Sequence, residues 1–188
     1  MYKEYVAGLI AHTTKYFEGS PQIRIWDEDR MLSFSDGIRT YEFHPNEQVE
    51  HWVYISEGVG LLEPELLHPH EYIISSDHSN GEHAELIAML AFLISTRKRL
   101  FHIGETIDIG RPWIAGSSMS RLLVSTPYPY GPKLENAEIC GRPLSLIWLL
   151  PIHDREQGFL ASDGLEALEA KFDSNAIEFL DPNRASVV

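Results

Sequence analysis

The stretch SLIWLLPIHDREQGFL, residues 145–160, decides how this chain is read. Its first half is apolar almost without a break. That is too continuous for a strand with one wet face and predicts a strand buried on both. Pro151 has no N–H to give to a ladder, so the strand is expected to end there. His153, Asp154 and Glu156 follow closely. These types carry acid/base chemistry, but each also has a structural task. Asp154 can cap the free amides of a following turn, Glu156 suits the positive end of the helix dipole, and His153 can lie at the surface. Neighbouring strand residues point to opposite faces and triads assemble in space, so a His–Asp pair in sequence is no dyad by itself. The step reads as strand end and helix start.

Working outward, one helix is expected near Asp154 and a second near Asp163, with Leu165, Leu168 and Phe172 as the inward stripe of the second. Upstream, the strand RLLVS lies between GETIDIGRPWIAGSS and PYPYGP, both punctuated by Gly and Pro. The clearest helix is SNGEHAELIAMLAFLISTRKRL, residues 79–100. Ser79 and Glu82 suit a capping box, and Arg97, Lys98 and Arg99 suit the negative end of the dipole. Its middle is apolar nearly all round, so it is expected to be covered on both sides. Earlier still, QIRIW, MLSF, RTYEF, HWVYIS and EYIISS predict short strands, the first three as an antiparallel meander with one wet face. Tyr5, Leu9, His12 and Tyr16 fall at helical spacing, and EGSP at 18–21 ends that helix. The fold class that results is α/β: a single-domain sandwich over 1–188, with a mixed, largely antiparallel sheet flanked by helices. Residues 1–24 form its N-terminal helix and lead-in.

Composition bounds the function. Lys plus Arg number 15 against 28 for Asp plus Glu, a formal net charge of −13. A nucleic-acid binder needs a basic footprint, so that class is disfavoured, whereas a basic protein partner would be steered in. Cys140 is the one cysteine, so neither an internal disulfide nor a Cys-based zinc site is available. The N-terminus makes a poor signal peptide, and the apolar run at 86–94 is too short to span a bilayer. A cytoplasmic protein without membrane contact is expected.

Candidate chemistry is sparse. His68, His70, His78 and His83, with Asp77 and Glu82, are ligand types for zinc or another transition metal, although their spacing matches no standard motif. GSSMS at 116–120 is not a nucleophile elbow, and nothing in sequence marks a base for Ser117 or Ser118. Cys140 reads as structural. GVGLLE has a G-x-G without the third glycine or a following helix, so no dinucleotide site is expected. STPYPYGP is a stiff aromatic segment whose tyrosines suit an interface or pack down on the sheet.

GETIDIGRPWIAGSSMSRLLVSTPYPYGP, then SLIWLLPIHDREQGFLASDGLEALEAKF, then DPNRASVV, resemble the suppressor-of-fused (SUFU) domain family. In that family a hydrophobic strand ends in a Leu-Pro-Ile step, here Leu150, Pro151 and Ile152. An acidic helix follows, here with Glu156. Next come a Gly-Leu-x-Ala-Leu helix, matched by Gly164, Leu165, Ala167 and Leu168, and a terminal Asp-Pro-x-Arg, matched by Asp181, Pro182 and Arg184. VYISEGVGL and the helix around Glu85, Leu86 and Leu90 fall in the family's order, so the resemblance covers 25–188 and is firmest from 104 onward.

The resemblance implies an α/β sandwich with a binding role, no cofactor and no catalytic residue. The animal protein of the family grips a zinc-finger transcription factor between two domains, and this chain is expected to hold only the first. Single-domain bacterial relatives are often assigned as immunity proteins. The expectation is therefore a non-enzymatic domain that binds and blocks another protein, such as a basic toxin domain. Trp113, Tyr128, Tyr130 and Glu156 are its candidate partner-binding residues. The alternative is a metal-dependent enzyme on the histidines of 68–83. A third possibility is the same fold with a nontoxic partner.

Overall fold

The buried strand at the centre of this reading is present and longer than expected. β8 runs from Arg142 to Ile152 and is buried continuously from Leu146 onward. It passes through Pro151 rather than stopping there. The computed structural model describes residues 2–26, 38–62, 69–97 and 99–188, so the strand expected at MLSF, His68 and Lys98 lie outside the described residues. The other strands are β1 (Gln22–Trp26), β2 (Ile38–Phe43), β3 (Trp52–Glu57), β4 (His70–Ser76), β5 (Thr106–Asp108), β6 (Arg121–Ser125) and β7 (Asn136–Ile139). The helices are α1 (Tyr2–Thr13), α2 (Gly81–Arg97), the single turn α3 (Pro132–Glu135), α4 (Asp154–Asp163) and α5 (Leu165–Ser174). The chain folds as two compact units, one of residues 1–101 with 126–148, the other of 102–125 with 149–188.

In the first unit the strand order is β1-β2-β3-β4-β8, with β7 also paired to β8. β4 and β8 are parallel, and the remaining pairs are antiparallel, which makes the sheet mixed and largely antiparallel as expected. The registers Tyr41↔Ile55 and Ile55↔Ile73 place these residues on one face, and Glu42↔Tyr54 and Tyr54↔Ile74 place theirs on the other. α1 and the segment after it cover the first face. There Tyr5 bonds Glu71, and the ring of Phe17 lies 5.1 Å from that of Phe43. A Cβ on Gly8 would stand 2.6 Å from Ile139 Cγ2, so α1 approaches β7 closely because position 8 has no side chain. α2 covers the opposite face, its His83 ring 4.9 Å from that of Tyr54. Neither face of β2 and β3 is therefore wet. Tyr41, Phe43, Tyr54 and Ile55 are all buried, because a helix lies on each side. Among the described strands, edge strand β1 exposes the large apolar side chains Ile23 and Ile25.

α2 is capped by Asn80, whose Oδ1 accepts from the Glu82 N–H, and not by Ser79, whose hydroxyl donates to Glu42 at 2.8 Å. Cys140 and Gly141 form the two-residue link between β7 and β8, both with positive φ, 54° and 71°. That is the backbone a tight hairpin with matching twist requires, and it leaves Cys140 exposed rather than structural.

In the second unit β5 and β6 are antiparallel. The last residues of β8 lead into α4, and Gly164, with φ +89°, ends α4 and starts α5. Leu168 and Phe172 are buried as expected, while Leu165 is half-buried. Among the described residues no helix is long and apolar enough to cross a membrane.

Candidate partner-binding surface

The cluster that opens α4 is a structural lock. His153 occupies the position before the helix, and Asp154 is its first helical residue. The expected cap is therefore displaced by one position. Glu156 reaches back to accept the His153 N–H at 2.9 Å, and the exposed Asp154 carboxylate instead takes a bond from Arg121 at 2.7 Å. Glu156 is fully buried. Arg184 grips it with both guanidinium arms, Nη1 to Oε1 at 2.6 Å and Nη2 to Oε2 at 2.7 Å, and the Val187 N–H adds a further bond at 3.2 Å. Nη2 also donates to the Pro151 carbonyl at 3.0 Å, and the guanidinium lies over the Phe172 ring. Burial pushes the Glu156 carboxyl up, but Arg184 and the His153 N–H outweigh it and hold the group below the usual carboxylate range. Its oxygens are engaged inside the fold, so the surface presents no Glu156 carboxylate.

Trp113 also lies inside the fold. Its ring is fully buried, and its indole N–H donates to Ser117 Oγ at 3.1 Å. Ser117 Oγ in turn donates to the Pro182 carbonyl at 2.6 Å. The loop carrying GRPWIAGSS thus seats the Asp181–Arg184 turn. His153 joins this arrangement, Nε2 donating to the Arg184 carbonyl at 2.9 Å with Nδ1 3.4 Å from Ser118 Oγ. Ser118 therefore has a histidine beside it after all. The contact is long, and the ring is oriented by a carbonyl instead of a carboxylate.

The two tyrosines divide. Tyr130 is half-buried, with its ring edge-on to Phe17 at 5.4 Å and its hydroxyl 2.6 Å from both Ser75 Oγ and His51 Nε2. Burial pushes that phenol up. Tyr128 stands edge-on to Trp148 at 5.3 Å and keeps 49% of its surface exposed. Pro129, Pro132 and Lys133 beside it are exposed as well. Of the four candidates, Tyr128 is the one that presents a ring outward.

The histidines do not converge. His70 begins β4 and His78 follows its end, with the strand between them roughly 20 Å long at ~3.3 Å per residue. A single metal ion cannot span that distance. His78 bonds Asp77 at 2.5 Å on the surface, while His83 is buried and pushed down to about 4 by that burial. Among the described residues no three His, Cys, Asp or Glu side chains gather to hold a metal. Of the four histidines of that alternative, His70, His78 and His83 therefore do not share one ion, and His68 lies outside the described residues.

One site went unread in the sequence. Glu71, fully buried on β4, accepts from Tyr5 Oη at 2.5 Å, from Ser56 Oγ, and from the N–H groups of Gly58, Val59 and Gly60 at 2.8, 3.3 and 3.1 Å. The G-V-G turn is an anion cradle whose anion is the protein's own carboxylate. Gly60 is required there, since a Cβ would stand 2.9 Å from Tyr5 Oη and 3.0 Å from Pro69 Cβ. Burial pushes Glu71 up to about 7, against the pull of its donors. Beside it Glu57 accepts from Tyr2 Oη and pairs with Arg39.

The positions that carried the family resemblance, Pro151, Glu156, Pro182 and Arg184, thus make one connected set of contacts. The family model described as suppressor of fused protein (SUFU) matches residues 34–185. No curated protein matches the sequence. Among solved structures, a SUFU homolog from Neisseria gonorrhoeae is 35% identical with a TM-score of 0.85, over 99% of this chain and 98% of that one. The Sufu–Fu complex structure matches at 14% identity and a TM-score of 0.77, over 100% of this chain and 93% of that one. Drosophila Suppressor of Fused matches at 14% identity and a TM-score of 0.74 over 98% of this chain, which spans 51% of the Drosophila chain. The distant pair shares the fold, the Neisseria protein shares sequence and fold throughout, and with the family match over 34–185 this places the chain in the suppressor of fused family.

Proposed function

We propose that the chain is a non-enzymatic protein-binding module, acting as one SUFU-like domain over 1–188, and that Tyr128 with its neighbouring prolines forms the centre of its partner surface. The observation that carries this reading is the division of labour in its conspicuous residues. Glu156, Arg184, Trp113 and Tyr130 are engaged inside the fold, and Tyr128 remains as a rigid aromatic on a proline-stiffened ridge. Such a ring contributes contact area at low entropic cost. A family relative has been solved as the Sufu–Fu complex, which is in keeping with a protein partner.

The finer reading is an immunity or regulatory protein in the cytoplasm that binds and blocks a basic partner such as a toxin domain. The net charge of −13 favours fast encounter with such a partner. Affinity capture from native cells with the wild type and with Tyr128→Ala tests both levels. A stoichiometric basic protein held by the wild type and lost from the variant supports the surface, and relief of that protein's toxicity on co-expression supports the immunity role. A wild-type protein that retains no partner, or a partner held equally by Tyr128→Ala, counts against the surface.

A further inference from the structure

Tyr130 is held by two short bonds to one hydroxyl, and one of them comes from the only readily titratable group in the trio. Ser75 on β4 and His51, just before β3, both lie 2.6 Å from the phenol oxygen. Tyr130 closes the 3-10 turn Tyr128–Tyr130, whose amides are tied by short-range bonds: Tyr128 to Thr126, Tyr130 to Pro127 and Gly131 to Tyr128. The turn is therefore anchored at its last side chain as well as by the packing of Tyr128 on Trp148.

We propose that His51 is an acid-sensitive latch for residues 126–131: neutral, it holds Tyr130 down; protonated, it lets the segment lift. The imidazole is half-buried and faces Tyr130 from the turn, while Tyr130 is backed by Ser75 from β4 and Phe17 from the segment after α1. The acids on the surrounding loop, Glu47 and Glu50, and Glu18 after α1 are exposed. When Tyr130 donates to Nε2, protonation turns that acceptor into a donor, so the phenol must swing its proton to Ser75 while the imidazole carries a charge that its burial disfavours. In the reverse arrangement protonation places a full charge on a ring that burial disfavours, and the ring turns to water. Burial lowers the His51 pKa from its ordinary value, so the holding contribution is complete above the unperturbed range near ~6.5 and is lost as pH falls below it. The latch holds or fails independently of whether Tyr128 meets a partner.

Hydrogen exchange of the full chain at pH 7.5 and pH 5.0, corrected for intrinsic rates, tests it. The amides of Tyr128, Tyr130 and Gly131 in the wild type should exchange about tenfold faster at the lower pH, with α2 amides reporting that the fold is intact. His51→Gln, which keeps an acceptor near Nε2 but does not titrate, should abolish the pH difference. Tyr130→Phe should exchange fast at both values. Equal protection of the wild-type turn at both pH values overturns the latch, as does a pH response that persists in His51→Gln.

Discussion

Arg184 and Glu156 make a buried pair in which each side chain answers the other's charge, and breaking it is far costlier than its net worth. Arg184→Ala should lower unfolding free energy by about 3–5 kcal/mol, because an uncompensated carboxylate stays buried. Replacing both residues by leucine should recover most of that loss, a comparison that urea titration can make. Glu71 obeys the same rule with hydroxyl and amide donors instead of a cation. Tyr5→Phe removes a charge-assisted bond and should cost about 1.5–3 kcal/mol by the same measurement. Glu71 also sets a pH dependence. Burial raises its folded pKa to about 7, so the stability it contributes is full below the ordinary carboxylate pKa and is lost as pH rises through 7. His83 acts in the opposite sense. Its folded pKa falls to about 4, so its contribution is full above ~6.5 and is lost as pH falls toward 4. Thermal denaturation across pH should lose the alkaline limb in Glu71→Gln.

At the scale of the element, α4 shows what pattern reading catches and what it misses. Strand, helix and order were legible from the apolar run and the acids after it. The cap was not, because Asp154 and Glu156 are both good acids for a first turn, and the choice between them depends on Arg184, 28 residues away from Glu156. Asp154→Ala should cost no more than about 1 kcal/mol, as expected for an exposed carboxylate paired with Arg121. Gly164→Ala forces a positive φ on a residue with a Cβ and should cost about 1–2 kcal/mol, readable as a shift in denaturation midpoint. The Cys140–Gly141 turn escaped notice because cysteine is not among the residues that usually advertise φ > 0. Of the meander QIRIW, MLSF and RTYEF, the second lies outside the described residues, and the wet face failed at the third for a tertiary reason: RTYEF alternates, but its Glu42 is buried with Arg24 and Ser79 as partners.

For the molecule as a whole, the family and the mixed sheet were readable because the resemblance rested on residues that hold the fold. The candidates Glu156 and Trp113 stood out in sequence for the same reason, through the contacts they make inside the fold. With a net charge of −13, association with a basic partner should slow steeply as ionic strength rises, while dissociation changes little; stopped-flow mixing at several salt concentrations measures both. The Arg184–Glu156 pair also has a temporal side. Ribosomes add residues in order, and Arg184 is synthesised 28 residues after Glu156. At about 5–20 residues per second, the nascent chain carries an unanswered Glu156 for roughly one to six seconds. The second unit therefore cannot be completed during translation of α4 and α5. A product truncated before Arg184 keeps that carboxylate without its guanidinium and should be cleared faster by proteolysis, which a pulse-chase comparison with the full chain measures.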